Sequence, residues 1–216
     1  MFSTYMGSLC ALPRGLTHLT AVWRDNPMSV APYVPSPIDV VRKMLKIAEV
    51  GPEDVVYDLG CGDGRILFEA VQEFGASRAV GYDLNKNFCE RIRKKAVDLD
   101  LQDRIQAVNG NFFLADLSPA TVITLYLTTS GNSKLRPKFE KESCPGTRIV
   151  SHDFPIKGWT PCGGHESGYY IFKSHKIYLY RIPEAYKLAP PSKGPESSRL
   201  RRIRSLFRPV DLESLE

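Results

Sequence analysis

The stretch "VVYDLGCGDGRI", residues 55–66, constrains the fold more than any other part of the chain. A short apolar run leads to Asp58, and Gly60, Gly62 and Gly64 follow at alternating positions. Glycine permits a tight turn and lets a ligand approach the backbone closely. A strand that runs through such a turn into a helix is typical of nucleotide-binding α/β folds, because the free N–H groups of the helix suit phosphate or carboxylate.

Strand-like and helix-like segments alternate over most of the chain. Predicted strands cover residues 53–60, 78–84, 104–112, 120–127 and 146–154, and predicted helices cover residues 36–51, 63–75, 85–101 and 131–143. Each helical connection makes the next strand parallel, whereas residues 168–182 predict two strands around a tight turn near Ser174 and His175. The predicted fold is therefore α/β: a Rossmann-like, doubly wound sheet in three αβα layers, mostly parallel with an antiparallel C-terminal hairpin.

Local signals predict where the helices begin. Ser36 is expected to cap the first helix, with Pro37 in its first position and Ile38 at the start of its buried stripe. Asn85 is expected to cap the third helix, and Pro137 to kink or begin the fourth.

The composition changes near both ends of the chain. Residues 1–27 lack a clear period and predict a poorly ordered N-terminal extension. That extension is either an ordinary leader or the result of an upstream start codon, with the working protein beginning near Met28. Residues 28–182 are the predicted catalytic domain, and residues 183–216 a proline- and serine-rich linker with a basic tail. We expect the tail to be solvated, or to contact an acidic protein, RNA or membrane surface.

Cysteine spacing, net charge and hydropathy give no indication of a disulfide-rich, nucleic-acid-binding or membrane-spanning protein. The five cysteines are scattered without CxxC spacing, which predicts neither a disulfide framework nor a metal site and favours a cytoplasmic location. The net charge of +5 does not by itself indicate nucleic-acid binding, and no stable nucleic-acid partner is expected. No apolar run reaches the roughly 18 residues that a membrane span requires.

Two acids indicate which ligand the glycine turn holds. Asp83 ends the second strand about twenty residues after the turn, where a carboxylate accepts both ribose hydroxyls of an adenosine. Asp58 stands two residues before Gly60, where it would meet an ammonium group. Together they predict S-adenosylmethionine, with its carboxylate at the turn. An NAD(P) site, or glycines that only turn the chain, are the weaker alternatives, since NAD(P) sites use GxGxxG.

Further cofactor contacts are predicted beside these groups. Asn111 is expected to hydrogen-bond the adenine edge and Phe112 to lie on its face, although one of Phe112 and Phe113 is expected to pack in the core. The full predicted set in the turn and at the strand ends is Asp58, Gly60, Cys61, Gly62, Asp63, Gly64, Asp83, Leu84, Asn111 and Phe112.

Several segments resemble a known family of methyltransferases. They are "PYVPSP" (32–37), "YDLGCGDGRI", "VGYDLN", "GNFF", "TVITLYL", "NSKLRPKFEKE", "PGTRIVSHDFPIKGW" and "YLY". They resemble the small archaeal protein-lysine methyltransferases and their mitochondrial relatives that methylate the ATP synthase c subunit or the adenine nucleotide translocator. The resemblance covers about residues 28–182. It departs from the family at Asp83, where glutamate is frequent.

The resemblance implies roles for five more residues. Tyr33 and Val34 would close over the methionine end of the cofactor, and Tyr126, His152 and Asp153 would face the target amine. Each of the last three has a structural alternative: a packed tyrosine, a hydrogen-bonded histidine and a loop-capping aspartate. Side chains alternate along a strand, so only one of His152 and Asp153 is expected to face the cleft. The remaining histidines, His18, His165 and His175, show no pattern that predicts a partner.

The resemblance predicts an S-adenosylmethionine-dependent protein-lysine methyltransferase whose partners are proteins with exposed lysines. "LYLTTSGN" replaces the Asn/Asp-Pro-Pro-aromatic turn of enzymes that methylate base amines, and the paired-glutamate insertion of arginine methyltransferases is absent. Trp159 would wall a lysine channel or, alternatively, pack in the core. A methyltransferase acting on RNA or a small metabolite, and a non-catalytic cofactor-binding protein, remain alternatives.

Overall fold

The computed structural model describes residues 33–164 and 168–187. The strands are β1 (Val55–Leu59), β2 (Arg78–Asp83), β3 (Ile105–Asn109), β4 (Val122–Leu125), β5 (Arg148–His152), β6 (Tyr170–Phe172) and β7 (His175–Arg181). The helices are α1 (Ile38–Ile47), α2 (Arg65–Gln72), α3 (Lys86–Asp98), α4 (Thr129–Glu142) and α5 (Glu184–Lys187), with a 3₁₀ turn at Phe112–Leu114. The predicted N-terminal extension and basic tail lie outside the described residues.

The seven strands form one sheet in the order β3-β2-β1-β4-β5-β7-β6. β1 to β5 pair in parallel, whereas β7 is antiparallel to both β5 and β6. The predicted fold class is confirmed, including the hairpin. The strand order reverses between β1 and β4, and in doubly wound sheets ligands bind at the carboxyl ends of the strands at such a point.

Two apolar layers cover the faces of the sheet. α1, α2 and α3 contribute the buried residues of one layer, among them Met44, Leu67 and Ile92. α4 and α5 contribute to the other, with Phe139 and Ala185. β4 is buried along its whole length, as expected for a central strand covered on both faces.

The start of α1 differs from the prediction. The helix begins at Ile38, with Pro37 as its N-cap residue and no side-chain capping bond. Ser36 is buried, and its hydroxyl hydrogen-bonds the Nδ1 of His152 at 2.8 Å instead. Ile38 is exposed, while later stripe positions such as Leu45 are buried. A tertiary partner for the serine therefore outweighed the local capping preference.

The predicted cap of α3 is confirmed, whereas the start of α4 and the position of the hairpin turn differ from the prediction. Asn85 caps α3 by accepting hydrogen bonds from the backbone N–H groups of Asn87 and Phe88. α4 begins well before Pro137 and continues through it, so the alternative that the helix begins at this proline is wrong. Phe172 pairs with His175, which places the hairpin turn one residue earlier than predicted.

α5 lies just beyond the predicted end of the domain at Ile182. Ala185 in this helix is buried, and the ring centroids of Tyr186 and Trp159 are 5.7 Å apart. The boundary at Ile182 stays a prediction. In the part of the chain that the structure describes, no helix is both long enough and apolar enough to span a membrane.

Candidate functional site

A cleft of about 510 Å³ opens at the carboxyl ends of β1, β2 and β4. Of the residues predicted to bind cofactor, Tyr33, Val34, Asp58, Gly60, Cys61, Gly62, Asp63, Asp83, Leu84, Asn111 and Phe112 all line it. Tyr126 also lines the cleft, whereas Gly64, His152 and Asp153 are not among the lining residues. The structure therefore brings together nearly all of the cofactor residues that the sequence predicts.

The glycine turn adopts conformations that favour glycine. Gly60, Gly62 and Gly64 have φ angles of 92°, 52° and 79°. A Cβ atom on Gly62 would lie 2.5 Å from the ring of Tyr33, and one on Gly64 would lie 2.7 Å from the side chain of Ile92. Gly62 thus lets Tyr33 lie against the turn, and Gly64 lets α2 pack against α3. A direct cofactor contact of Gly64 stays a prediction.

Asp58 lies at the floor of the cleft and is almost completely buried. The hydroxyl of Thr124 on the neighbouring strand β4 donates to its Oδ1 at 2.7 Å. Burial raises the pKa of Asp58 to about 7, partly opposed by the Thr124 hydrogen bond and assisted by the nearby charge of Asp83. A cation that reached this carboxylate would replace the missing solvation. An ammonium group is a suitable ligand for that reason.

The carboxylate of Asp83 is held by two backbone groups. Its Oδ2 accepts from the N–H of Gly62 at 2.9 Å, and its Oδ1 accepts from the N–H of Asn85 at 2.8 Å. These bonds fix the carboxylate at the junction of β2, the glycine turn and α3. Each carboxylate oxygen has a second lone pair, so both can still accept from neighbouring hydroxyls of a ribose.

The residues predicted to receive adenine follow β3, which pairs with the strand that ends at Asp83. The Oδ1 of Asn111 accepts from the N–H of Phe113 and caps the 3₁₀ turn, so this oxygen already has a structural role. Phe112 is buried, Phe113 is half-buried, and their ring centroids are 4.9 Å apart. Both rings line the cleft.

A short segment, residues 33–36, covers the other side of the cleft and is called here the cover segment. Tyr33 and Val34 are about half exposed, and the ring of Tyr33 packs on Phe88 with centroids 4.6 Å apart. Arg65, the first residue of α2, donates to the carbonyl oxygen of Ser36 at 2.7 Å. The sequence did not identify the anchoring residues Ser36, Arg65 and Phe88. The "PYVPSP" motif contains the serine, and its resemblance to the family was the available signal.

The three candidate catalytic residues occupy different depths. Tyr126 follows β4 directly and reaches the cleft surface. His152 is completely buried behind it, with the two rings stacked at a centroid distance of 3.9 Å. The prediction that His152 faces the target amine is therefore corrected: it is a hydrogen-bonded histidine that supports Tyr126. Burial lowers the pKa of His152 to about 4, so its ring is neutral near pH 7.

Neither His152 nor Asp153 lines the cleft, although strand alternation predicted that one of them would face it. The φ angle of Asp153 is 57°, which is unusual for a residue other than glycine and turns the carboxylate back toward the hairpin. Its Oδ2 lies 3.0 Å from the Nδ1 of His175, and its Oδ1 accepts from the N–H of Lys176 at 2.8 Å. Although burial opposes ionisation, these contacts hold the pKa of Asp153 below its usual value. Asp153 thus ties β5 to β7, which is closer to its predicted loop-capping alternative.

Two further predictions concern residues away from the cleft surface. Trp159 is buried, and its Nε1 donates to the Oε1 of Glu140 at 2.9 Å, so the core alternative is confirmed. The sequence showed no pattern that predicts a partner for His175, and the structure supplies one: its Nδ1 lies 2.9 Å from the Nε2 of His152. Hairpin pairing was the available signal, since β7 runs back along β5 and places its first residue near the end of β5.

Comparison with known proteins identifies the family of the chain. Residues 58–163 match the family model of the ANTKMT methyltransferase domain. A protein-lysine N-methyltransferase of Saccharolobus islandicus (strain REY15A) is 48% identical over 158 residues, which is 71% of this chain and 94% of that protein. The adenine nucleotide translocase lysine N-methyltransferase of Mus musculus is 29% identical over 77% of this chain and 72% of that protein.

A solved methyltransferase structure has a similar fold. The crystal structure of an RNA methyltransferase from Salinibacter ruber in complex with S-adenosyl-L-homocysteine is 41% identical, with a TM-score of 0.65. The matched region covers 70% of this chain and 95% of the Salinibacter ruber chain. The seven-strand sheet, the GxGxG turn and the two strand-end acids define a class I, S-adenosylmethionine-dependent methyltransferase. Within that class, the chain belongs to the protein-lysine N-methyltransferase family represented by the Saccharolobus enzyme.

Proposed function

We propose that the chain transfers methyl groups from S-adenosylmethionine to the side-chain amines of lysine residues in other proteins. The observation that carries the proposal is the 48% identity to a protein-lysine N-methyltransferase, nearly all of which is covered by this chain. The translocase enzyme of the mouse supports the same substrate class at lower identity.

The cleft suits this cofactor in three respects. Asp58 offers a buried carboxylate to the ammonium group of the methionine part, and the backbone of the glycine turn faces its carboxylate. Asp83 offers a fixed pair of oxygens to the ribose. Tyr33 lies over the turn only because Gly62 has no side chain. S-adenosylmethionine supplies an activated methyl group, and the protein orients it and excludes water.

A lysine amine must lose a proton before it can attack. Its usual pKa of about 10.4 leaves only about one amine in 10³ uncharged near pH 7, which costs roughly 4–5 kcal/mol. The apolar and aromatic wall around Tyr126 disfavours the charged form by desolvation. Burial, together with the charge of Asp153, raises the pKa of Tyr126, so its hydroxyl stays protonated and can hydrogen-bond the neutral amine. We assign Tyr126 the role of orienting the nucleophile.

The proposed partners and location follow from the same features. Residues 126–132 run directly from β4 into α4, without the turn that stacks a planar base. An open cleft of this kind admits a lysine on the surface of a folded protein. We also propose a cytoplasmic location, which the four free cysteines of the described residues support. The basic tail would then be available to acidic surfaces.

RNA methylation is the second candidate, because the Salinibacter ruber protein, at 41% identity, is named an RNA methyltransferase. Tritium-labelled S-adenosylmethionine, incubated with the purified chain and a cell lysate, separates the two. Label that survives RNase, is lost with protease and is recovered as methyl-lysine after hydrolysis supports the proposal. Label lost with RNase supports the second candidate.

A matched pair of variants links the label to the cleft. Asp83→Ala removes the carboxylate that would bind the ribose hydroxyls, and it should abolish methyl transfer to protein and to RNA alike. Lys86→Ala removes an exposed charge three residues away, at the start of α3, and should leave transfer unchanged. Equal label with wild-type protein and Asp83→Ala would show that another enzyme in the lysate is responsible.

A further inference from the structure

Three potential ligand atoms converge beneath the cleft wall, where β5 ends and β7 begins. The Nε2 of His152 lies 2.9 Å from the Nδ1 of His175 and 3.3 Å from the Oδ2 of Asp153. The Oδ2 of Asp153 lies 3.0 Å from the Nδ1 of His175. The three atoms therefore form a nearly equilateral triangle, and they belong to the side chains that metal ions bind most often.

Hydrogen bonding satisfies this triangle poorly. A neutral imidazole has one N–H donor and one acceptor, and an ionised carboxylate only accepts. When the Nε2 of His152 carries no proton, a proton on the Nδ1 of His175 faces two acceptors at once, that Nε2 and the Oδ2 of Asp153, and cannot point straight at both. When the Nε2 carries the proton, it points at the Nδ1 of His175, whose lone pair then lies against the carboxylate. A cation that lies close to all three atoms satisfies them together.

The groups around the triangle orient it further. Ser36 hydrogen-bonds the Nδ1 of His152 at 2.8 Å, which leaves the Nε2 for the triangle. The N–H of Lys176 holds the second oxygen of Asp153. Hydrogen bonds of this kind fix the orientation of metal-binding histidines and carboxylates in known sites. The left-handed backbone of Asp153, a conformation that aspartate tolerates, aims the carboxylate at the two rings.

We propose that His152, Asp153 and His175 form a binding site for a divalent transition-metal ion, with zinc as the best match. Two imidazoles and a carboxylate with open remaining positions are typical of zinc and related ions. The side chains of His175 and Asp153 are 24% and 27% exposed, so an ion and its water ligands can reach them from the surface. The cysteine pattern in the sequence gave no indication of this site.

The bound ion would connect three parts of the molecule. It joins the end of β5 to the start of β7, and through His152 it reaches both the cover segment and Tyr126. The ion is therefore expected to stiffen the wall of the cleft on which the target amine is placed. This inference does not depend on the identity of the methyl acceptor.

The test uses the full chain after dialysis against a chelator. Titration calorimetry with Zn²⁺ should show one equivalent bound with micromolar or tighter affinity, and binding should raise the melting temperature. His175→Gln should weaken binding by more than about 100-fold, since loss of a ligand exceeds the 10–100-fold cost of losing an outer hydrogen bond. Asp153→Asn should do the same, and asparagine tolerates the left-handed backbone there, so this variant should fold. His18→Gln is the matched control and should bind as the wild type does.

Cobalt provides a spectroscopic check. Co²⁺ bound to nitrogen and oxygen ligands should give visible absorption without the near-ultraviolet charge-transfer band that a thiolate ligand produces, and Asp153→Asn should remove it. The proposal is overturned if zinc binds the wild type no more tightly than His175→Gln. It is equally overturned if the cobalt spectrum shows thiolate ligation that both variants leave unchanged.

Discussion

Asp58→Asn should stabilise the cofactor-free protein at alkaline pH. A carboxyl whose pKa rises from 3.8 to about 7 on folding binds a proton more tightly in the folded state than in the unfolded state. The free energy of unfolding of the wild type therefore falls as pH rises from about 4 to about 7, and the loss is complete above pH 7. This change in pKa corresponds to a loss of about 4 kcal/mol in the free energy of unfolding.

The design separates this charge effect from the effect of the new amide. The amide has a hydrogen-bonding cost that does not change with pH, so the comparison is between about pH 4 and about pH 8. The free energy of unfolding of the variant, minus that of the wild type, should rise by about 4 kcal/mol from the lower to the higher pH. Urea unfolding followed by circular dichroism at several pH values measures the quantity directly.

Asp54→Asn is the matched control, because Asp54 is also buried but pairs with a cation. Its carboxylate accepts from the hydroxyl of Thr121 at 2.7 Å and forms an ion pair with Arg148. Removing that charge should destabilise the protein by about 1–3 kcal/mol near pH 7. If Asp58→Asn gains less than about 1 kcal/mol between the two pH values, the carboxyl is not desolvated as the structure indicates.

Three further predictions concern the same cleft. S-adenosylmethionine should bind about tenfold more weakly per pH unit below about 7, since its ammonium needs ionised Asp58; calorimetry over a pH series that shows a flat affinity would contradict this. Asp83→Ala should weaken cofactor binding more than Tyr126→Phe, whereas Tyr126→Phe should lower kcat; the opposite order of dissociation constants would reverse the two roles. Gly64→Ala should cost about 1–3 kcal/mol from its φ angle and the contact with α3, while Gly51→Ala, with open space around it, should be close to neutral; equal melting temperatures would refute the packing argument.

The cofactor end of the site was predictable because its signals are local. A turn needs glycine at particular positions, and a ribose-binding acid stands at the end of the next strand. Both features lie within a stretch of about twenty to twenty-five residues, so they can be recognised in the sequence without knowledge of the fold. Asp58, Gly62 and Asp83 were found in this way, and the structure places them together at the point where strand order reverses.

The acceptor side was less predictable because its contacts connect distant parts of the chain. Ser36 and His152 are 116 residues apart, and the helix-capping preference of the serine pointed to a different partner. Strand alternation placed only one of His152 and Asp153 in the cleft. Asp153 lies one residue beyond β5 and has a positive φ angle, which ends the alternation. Aspartate tolerates this conformation better than most residues do, but that preference alone does not predict where a chain adopts it.

The two halves of the site therefore differ in how their geometry is maintained. Asp83 is fixed by backbone N–H groups of the glycine turn and of Asn85, and Asp58 by the hydroxyl of Thr124 on the neighbouring strand. Tyr126 instead rests on His152, whose ring is held at one nitrogen by Ser36 and faces His175 at the other. Changes in the hairpin should consequently disturb Tyr126 and, through Ser36, the cover segment, while Asp58 and Asp83 keep their positions. Such variants should reduce turnover more than they weaken the binding of S-adenosylmethionine.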